Sequence, residues 1–344
     1  MFKRIIVSFL VILAVGFTFV SCDSDNGKST PVETLSAEAT PLTLENFGST
    51  AMQVHVSVFT PTTNDSKLKY VIEGESAVDI TDTIDITVPA RKKISFYDDR
   101  TTTTEDSTIY TINCDKECYV YGNVMSLINS TDFKDLASLE NHAYVFATLF
   151  YDNSNIKNHP TKPLLLPATT LANSCYNSMF KGCTGLTKTP DLPATKLAVR
   201  CYYDMFSGCT GLKTVSKLPA EELFTECYRS MFNGCTSLTS APALPATTLA
   251  EKCYENMFKG CTALIAAPEL PAENLVRECY QTMFQGCSTL TSVTCHAITY
   301  GQDATTNWLS DVATTGTFTR PSTATFWESD SPNGIPTGWT TVDL

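Results

Sequence analysis

The chain has 344 residues, of which 43% are hydrophobic and 17% are charged, and its net charge is -12. This composition is typical of a globular protein long enough for two or three domains, and it excludes a chain that is disordered throughout. Nucleic-acid binding needs clustered Lys and Arg to contact phosphates, so an acidic chain with scattered basic residues predicts no nucleic-acid partner.

Residues 1–21 are predicted to be a signal peptide that directs lipid attachment. Lys3 and Arg4 precede an apolar run over residues 5–19, which is short for a membrane span. Residues 19–22, Phe-Val-Ser-Cys, resemble a bacterial lipobox, which implies that the thiol of Cys22 carries diacylglycerol. The alternative is an ordinary signal peptide with an incidental cysteine. The acidic residues after Cys22 resemble the surface-export signal of Bacteroidota lipoproteins, which implies an outer-membrane lipoprotein exposed on the cell surface.

Residues 22–38 are polar and lack an apolar period, so they are predicted to form a flexible tether. From residue 39 to residue 130 the pattern changes to short runs of period two bounded by turn-forming residues, which is typical of β-strands. These runs lie at residues 54–58, 68–72, 84–88, 93–97, 108–113 and 118–127. Their number and spacing predict a small all-β domain that resembles an antiparallel sandwich.

Two pairs of side chains in this segment are candidates for covalent modification. Cys114 and Cys118 are spaced for a disulfide across a hairpin of an exported protein. A zinc site would need two further ligands at metal-binding spacing, which the segment lacks. The tripeptides at residues 82–84 and 106–108 resemble the O-glycosylation pattern of Bacteroides exported proteins, which implies Thr83 and Ser107 as acceptors.

The centre of the chain repeats with a period of 26 residues, which is the spacing between the first cysteines of five successive copies. A fixed period of this length marks an array of supersecondary units that bury their apolar faces against each other. The repeat domain is predicted to span residues 131–298. It comprises an irregular first repeat at about residues 140–165 and five regular repeats over residues 166–295.

Each copy is predicted to contain a helix, a glycine cap and a short strand. Leu249, Cys253 and Met257 lie four residues apart, a spacing that places side chains on one helical face. Gly260 follows, where a helix commonly ends in a left-handed residue. The short segment after the second cysteine is predicted to be a strand. Stacked copies would then form an α/β solenoid with a parallel sheet along one side.

The unit CYxxMFxGCTxLxxxPxLPAxxL resembles the BspA-like leucine-rich repeat of Bacteroides surface lipoproteins. The segments CYVYGNVMSL before the repeats, and NWLSDVATTGTF and GIPTGWTTVDL after them, resemble the same family. This resemblance implies an α/β leucine-rich repeat solenoid at the cell surface. It also implies adhesion to host or neighbouring-cell molecules and no catalytic activity.

Ten cysteines occupy two positions of the repeat, and three roles compete for them: disulfides, metal ligands and small core residues. The irregular copy favours the core role, because Val145 and Asn153 stand at the two cysteine positions and valine can neither cross-link nor bind a metal. Disulfides between neighbouring copies are the main alternative. The ten are Cys175, Cys183, Cys201, Cys209, Cys227, Cys235, Cys253, Cys261, Cys279 and Cys287.

Residues 299–344 are predicted to cap the apolar end of the array, because an array of repeats needs a distinct end unit. The tail carries aromatic residues suited to this role, including Trp308, Trp327 and Trp339. A carbohydrate platform is the alternative use of such an aromatic cluster.

The sequence lacks a catalytic triad order, a glycine-rich phosphate loop and a flanked carboxylate pair, so no enzyme activity, cofactor or metal is predicted. The leading hypothesis is a monomeric binding or adhesion module for an extracellular protein or glycan. Lys188, Lys213, Thr214 and Thr239 on the strand side are the candidate contacts, although β-propensity on a solvated sheet explains the same residues. The alternatives are a structural surface-coat lipoprotein without a discrete ligand and a glycan-binding accessory protein.

Overall fold

Alternating apolar side chains form most of the eight strands described in the first part of the chain. The computed structural model describes residues 36–59, 67–104, 107–329 and 333–344, so the signal peptide, Cys22 and most of the tether lie outside the described residues. Each of the six runs predicted from the sequence contains a strand. The strands are β1 (Leu42–Glu45), β2 (Met52–Phe59), β3 (Lys69–Ile72), β4 (Val78–Asp79), β5 (Ile84–Val88), β6 (Lys93–Tyr97), β7 (Ile109–Cys114) and β8 (Cys118–Asn123).

These eight strands belong to two sheets, and they pair with one another in the antiparallel direction. One sheet has the order β5-β2-β7 and the other contains the order β8-β1-β6-β3-β4. Two short strands of the repeat region, β9 (Ile156–Asn158) and β10 (Leu164–Leu165), add to β8 in the parallel direction. Strand pairing therefore continues across residue 130, where the sequence predicts a domain boundary.

Each regular copy of the repeat begins with a ribbon of tight turns, which we call the turn ribbon. Backbone φ is positive at three positions four residues apart, with values of 56° at Glu226, 57° at Ser230 and 74° at Gly234 in the third copy. The same three positions are left-handed in every regular copy. The turn ribbons span residues 144–152, 174–182, 200–208, 226–234, 252–260, 278–286 and 303–311.

Hydrogen bonds within a turn ribbon alternate with hydrogen bonds to the next copy. The N–H of Met231 donates to the carbonyl of Tyr228, three residues earlier, at 3.2 Å. The N–H of the next residue, Phe232, donates to the carbonyl of Met257 in the following copy at 2.9 Å. Buried backbone groups need hydrogen-bond partners. This alternation provides them, because every second N–H closes a turn within the ribbon and the others join the ribbon to the next copy.

The α-helix predicted in each copy is wrong. The described residues contain no α-helix and only two 3-10 segments, Val124–Leu127 and Phe133–Asp135. The four-residue spacing of apolar side chains was ambiguous, because residues i and i+4 share one side in both structures. In a helix, the side chain of residue i+4 is rotated about the axis by roughly 40° from that of residue i. In the turn ribbon, the two side chains lie on the same side. Gly234, interpreted as a helix cap, is the third left-handed position of its ribbon.

Stacking of the copies places equivalent side chains above one another in buried columns. Neighbouring tyrosine rings of the first aromatic column lie 5.6–6.0 Å apart and within 19° of parallel. A parallel phenylalanine column has ring separations of 5.3–5.8 Å. Aromatic pairs at such distances add about 0.5–1.5 kcal/mol each beyond their buried area. The tyrosines are Tyr176, Tyr202, Tyr228, Tyr254 and Tyr280, and the phenylalanines are Phe150, Phe180, Phe206, Phe232, Phe258 and Phe284.

The irregular first copy aligns with the array as its sequence predicts. Phe146 stacks on Tyr176 at 5.6 Å, and the N–H of Phe146 donates to the carbonyl of Cys175. A seventh turn ribbon, over residues 303–311, was missed because Asp311 and Ala304 replace the usual glycine and cysteine. Trp308 of this ribbon is fully buried and stacks on Tyr280 at 6.3 Å and on Trp327 at 5.2 Å, so the aromatic column continues into the C-terminal segment.

The segments that follow the turn ribbons meet in parallel, as predicted, but they form few continuous strands. Lys188 and Ala266 each make a single parallel bridge, to Thr214 and Ser292 respectively. Longer parallel pairing among the described residues after the irregular copy begins at β11 (Ser292–Thr294), which is followed by β12 (Gly316–Arg320) and β13 (Trp339–Asp343) in sheet order β11-β12-β13.

The left-handed positions generate a prediction that separates the turn ribbon from a helix. Ser230→Gly is expected to raise the free energy of unfolding by about 0.5–1 kcal/mol, because a left-handed backbone costs a residue with a Cβ about 1–2 kcal/mol. Gly234→Ala, four residues later, should lower it by a similar amount. In a helix interior, Ser230→Gly would instead destabilise, since glycine is a poor helix former. Urea unfolding of both variants measures the two signs, and a loss of stability in Ser230→Gly would contradict the turn ribbon.

Candidate binding surface

Ten exposed residues, two in each regular copy, form one face of the array, which we call the bridge face. They directly follow the buried leucine of each copy and are Thr187, Lys188, Lys213, Thr214, Thr239, Ser240, Ile265, Ala266, Thr291 and Ser292. The N–H of Lys213 donates to the carbonyl of Thr187 at 2.9 Å, which fixes the first two copies side by side. The structure thus brings three of the predicted contacts, Lys188, Lys213 and Thr214, onto adjacent copies, with Thr239 one copy further on.

The chemistry of the bridge face changes along the array. Lys188 and Lys213 supply two ammonium groups at one end, and neither is engaged in an ion pair within the described part of the chain. Hydroxyl groups follow at Thr239 and Ser240, and then Ile265 is 58% exposed. The face therefore offers charged, polar and apolar contacts in a fixed order on successive copies of the repeat.

A proline-lined groove lies next to the bridge face, and sequence reasoning missed it. It has a volume of about 500 Å³ and includes Pro242, Pro245, Pro268 and Pro271. Its signal in the sequence was the PxLPA element at residues 242–246, which recurs at residues 190–194 and 268–272. Because proline lacks an N–H and has a fixed φ, these positions give the groove a rigid wall.

Ion pairs between successive copies line the turn ribbons. The buried carboxylate of Glu226 is held by Arg200 from the preceding copy and by Arg229. Arg229 also reaches Glu255 of the next copy at 3.0 Å. Lys252 pairs with Glu278 in the same way at 3.0 Å. Three of these four pairs link neighbouring copies, and the pair of Glu226 with Arg229 lies within one copy.

The buried glutamates differ in the direction of their pKa shifts. Burial opposes ionisation of Glu226, but hydrogen bonds and charges from Arg200 and Arg229 outweigh it and hold the pKa of Glu226 below its usual value. At Glu255 burial dominates over the attraction of Arg229 and raises its pKa. A depressed pKa means that folding favours the carboxylate, whereas a raised pKa means that folding favours the neutral acid.

These opposite shifts predict opposite pH effects. The stability supplied by Glu226 should be present above the usual carboxyl pKa and lost as pH falls through the depressed folded value. Glu226→Gln is therefore expected to lower the free energy of unfolding at pH 7 by about 1–3 kcal/mol and to weaken its loss on acidification. Glu255→Gln is the matched control. It should lower the free energy of unfolding at pH 7 by less than Glu226→Gln does, because folding already favours the neutral form of Glu255. Urea unfolding between pH 3 and pH 7 measures both variants. Equal losses of unfolding free energy at pH 7 would contradict the prediction.

The ten repeat cysteines lie in two fully buried columns. Each thiol of the second column donates to the phenylalanine carbonyl of the preceding copy, as Cys209 does to Phe180 at 3.0 Å. The equivalent contacts of the other four measure 3.0–3.2 Å. Asn153 stands at this position in the irregular copy, and its amide Nδ2 donates to the carbonyl of Ile112 at 3.0 Å. Cysteine and asparagine at this position therefore both donate to a carbonyl of the preceding layer, and in the regular copies that carbonyl also accepts a backbone N–H, as Phe180 does from Cys183.

Burial makes the column thiols poor nucleophiles. Loss of solvation raises the pKa of Cys175 and of Cys209 to about 12. The thiolate is the reactive form of cysteine, so a raised pKa suppresses alkylation and disulfide exchange. Cys295, which follows the last regular copy, is likewise buried, and its pKa is raised to about 12.

Cys114 and Cys118 differ from the column thiols. They flank the turn between β7 and β8, and their sulfur atoms lie 3.2 Å apart. The hydrogen bond between the two thiols lowers the pKa of Cys114, with help from Asn153, and raises that of Cys118. Cys114 is therefore the better nucleophile, and its partner is already in contact.

This contact predicts selective oxidation. Oxidised glutathione should convert Cys114 and Cys118 into one disulfide, because the Cys114 thiolate attacks it and Cys118 then displaces the bound glutathione. Intact mass of the native protein should fall by two hydrogens, while the ten column thiols stay free. Cys118→Ser should instead retain one glutathione on Cys114. Disulfides mapped among the column cysteines of the native protein would contradict the prediction.

The remaining predicted modification sites differ in accessibility. Thr83 is exposed, and its hydroxyl accepts a hydrogen bond from the N–H of Val58 at 3.1 Å. Ser107 is 7% exposed, and its hydroxyl accepts from the N–H of Thr104 at 2.9 Å. A glycan needs a free hydroxyl at the surface, so this structure suits Thr83 better than Ser107. Cys22 lies outside the described residues.

The described residues contain neither a metal-binding cluster nor a membrane-spanning helix. They contain no group of three or more His, Cys, Asp or Glu side chains placed to hold a metal ion. They also contain no helix that is both long enough and apolar enough to cross a membrane. Comparison of the chain with protein families, with curated proteins and with solved structures found no match. The leucine-rich repeat resemblance therefore stays a prediction.

Proposed function

We propose that this protein is a non-catalytic, lipid-anchored surface protein that binds an extracellular protein or glycan through the bridge face. We propose further that its array is a variant of the BspA-like leucine-rich repeat solenoid, in which a turn ribbon stands where a helix was expected. Cys22 would carry the lipid at the outer membrane. Residues 22–38 would then link the lipid to the rest of the chain.

One contrast carries this proposal. The buried Cys, Tyr, Met, Phe and Leu columns have the same residue in all five regular copies. The exposed bridge-face pairs differ from copy to copy, from Thr187–Lys188 to Ile265–Ala266. A constant interior with a varied exterior is what a scaffold needs if it presents an extended contact surface, and stacked repeats commonly bind partners along such surfaces.

A matched pair of quadruple variants tests the binding face. The bridge-face variant changes Lys188, Lys213, Thr214 and Thr239 to alanine. The control variant changes Lys196, Lys217, Thr247 and Thr248, which are exposed in the loops of the same three copies. Cells displaying each full-length protein would be tested against a panel of extracellular-matrix proteins and surface glycans.

The bridge-face variant is expected to lose at least tenfold in affinity for the partner, whereas the control variant should bind as the parent does. Equal binding by both variants would overturn the bridge face as the contact surface. If no panel member binds the parent while the protein remains abundant at the surface, the result favours the structural-coat alternative. Membrane fractionation of Cys22→Ala tests the anchor separately, because loss of the lipid should release the protein from the membrane.

A further inference from the structure

A small cleft lies in the segment that follows the last regular copy, away from the bridge-face residues in sequence. Its volume is about 210 Å³, and its described lining comprises Tyr300, Phe326, Glu328, Asn333 and Gly334. Tyr300 is 39% exposed, and its ring lies 5.7 Å from that of Phe326 with the planes tilted by 57°. Two aromatic rings thus meet at an angle beside a carboxylate.

The walls of this cleft are held by buried side chains. Thr305 is fully buried, and its hydroxyl donates to the carbonyl of Asn333 at 2.7 Å. The Tyr300 hydroxyl lies 3.2 Å from the same Thr305 oxygen. Trp308 Nε1 donates to the carbonyl of Gly334 at 2.9 Å. These contacts fix the lining before any ligand arrives, and such preorganisation lowers the cost of binding.

The carboxylate of Glu328 has no ion pair and no hydrogen bond among the described residues. No Lys or Arg belongs to the described lining. The surrounding sequence is also acidic, since residues 245–344 contain ten Asp and Glu against four Lys and Arg. The electrostatic environment of the cleft therefore favours a positively charged ligand.

The ring geometry favours the same ligand. A cation is attracted to an aromatic face within about 6 Å of the ring centroid, and angled rings beside a carboxylate surround an ammonium group from several sides. A sugar would stack best on one flat exposed ring, and its neutral hydroxyls would gain nothing from the acidic surroundings. The tilt of the two rings and the unpaired carboxylate together distinguish these ligands.

The geometry points to a binding site for an alkylammonium group, formed by the faces of Tyr300 and Phe326 and the carboxylate of Glu328. The ligand of this site is a lysine side chain presented by the partner protein. This inference rests on the proposed binding function, because it names the chemistry of one contact on that partner. It places the contact in the C-terminal part of the described chain, apart from the bridge face.

Small probes test the site without any partner protein. Saturation-transfer NMR on the full chain would compare N-acetyl-lysine methylamide with N-acetyl-norleucine methylamide, which has the same stem length without the charge, and with methyl β-glucoside. The lysine probe is expected to bind in the millimolar range, more weakly at high salt, and at least tenfold more tightly than the norleucine probe.

Glu328→Gln and Tyr300→Leu should each weaken the lysine probe by about tenfold or more. Glu273→Gln and Tyr151→Leu, at exposed positions elsewhere, are the matched controls and should leave its binding unchanged. Thermal unfolding of every variant identifies any that fail to fold, and Glu328→Gln alters only an exposed side chain. Equal binding of lysine and norleucine probes, preference for the glucoside, or no binding of any probe would overturn the site.

The outcome is independent of the bridge-face experiment. The bridge-face quadruple variant should bind the lysine probe as the parent does, because none of its changes touches the cleft. Probe binding without any partner would leave the ammonium site standing and count against the proposed function. Partner binding without probe binding would support the proposed function and count against the ammonium site.

Discussion

The alternating hydrogen bonds of the turn ribbon are the constraint on which the array depends. Every second N–H must reach the next copy, so the backbone has to reverse its curvature every four residues. Three left-handed positions in each ribbon accomplish this, and only the third is regularly glycine. The same alternation turns two neighbouring residues inward and the next two outward. The paired inward residues, such as Met179 and Phe180, then stack as columns through all the copies.

This geometry also accounts for the cysteines of the second column. The second cysteine of each copy sits where a small side chain must both fill space and donate to a carbonyl of the preceding layer. A thiol does both, and Asn153 does both with an amide. The position therefore selects for size and a donor, not for redox chemistry. Cys114 and Cys118 lie outside the repeat positions, at a hairpin, and their sulfurs contact each other.

The sequence predicted the period, the buried columns and the alignment of the irregular copy, because these depend on which residues recur and where. It also located six of the eight strands of the first part, since period-two alternation is distinct. It misjudged the local backbone of the repeat, because four-residue spacing fits a helix and a turn ribbon equally well. Non-glycine residues such as Ser230 and Asn256 give no sign of a left-handed backbone in one copy. Their recurrence as short polar residues, midway between two apolar pairs, was the signal available.

The surface was harder to predict than the core. Exposure of Lys188 and Thr214 followed from the strand assignment, but the proline groove and the cleft at Tyr300 depend on segments that are far apart in sequence. The seventh turn ribbon was hidden by substitutions at its cysteine and glycine positions. Its identity rests on backbone geometry at Asp303, Asn307 and Asp311, which composition does not reveal.

The ion pairs between ribbons bear on how such an array can change in length. Loss of one copy would bring two ribbons together that are now separated by a third. The first left-handed position alternates in charge over the second to fifth regular copies, through Arg200, Glu226, Lys252 and Glu278. Removal of the copy that carries Glu226, or of the copy that carries Lys252, would set two like charges side by side, whereas removal of both would place Arg200 beside Glu278. In the middle of the array, the charged pairs therefore oppose the loss of a single copy more than the loss of two.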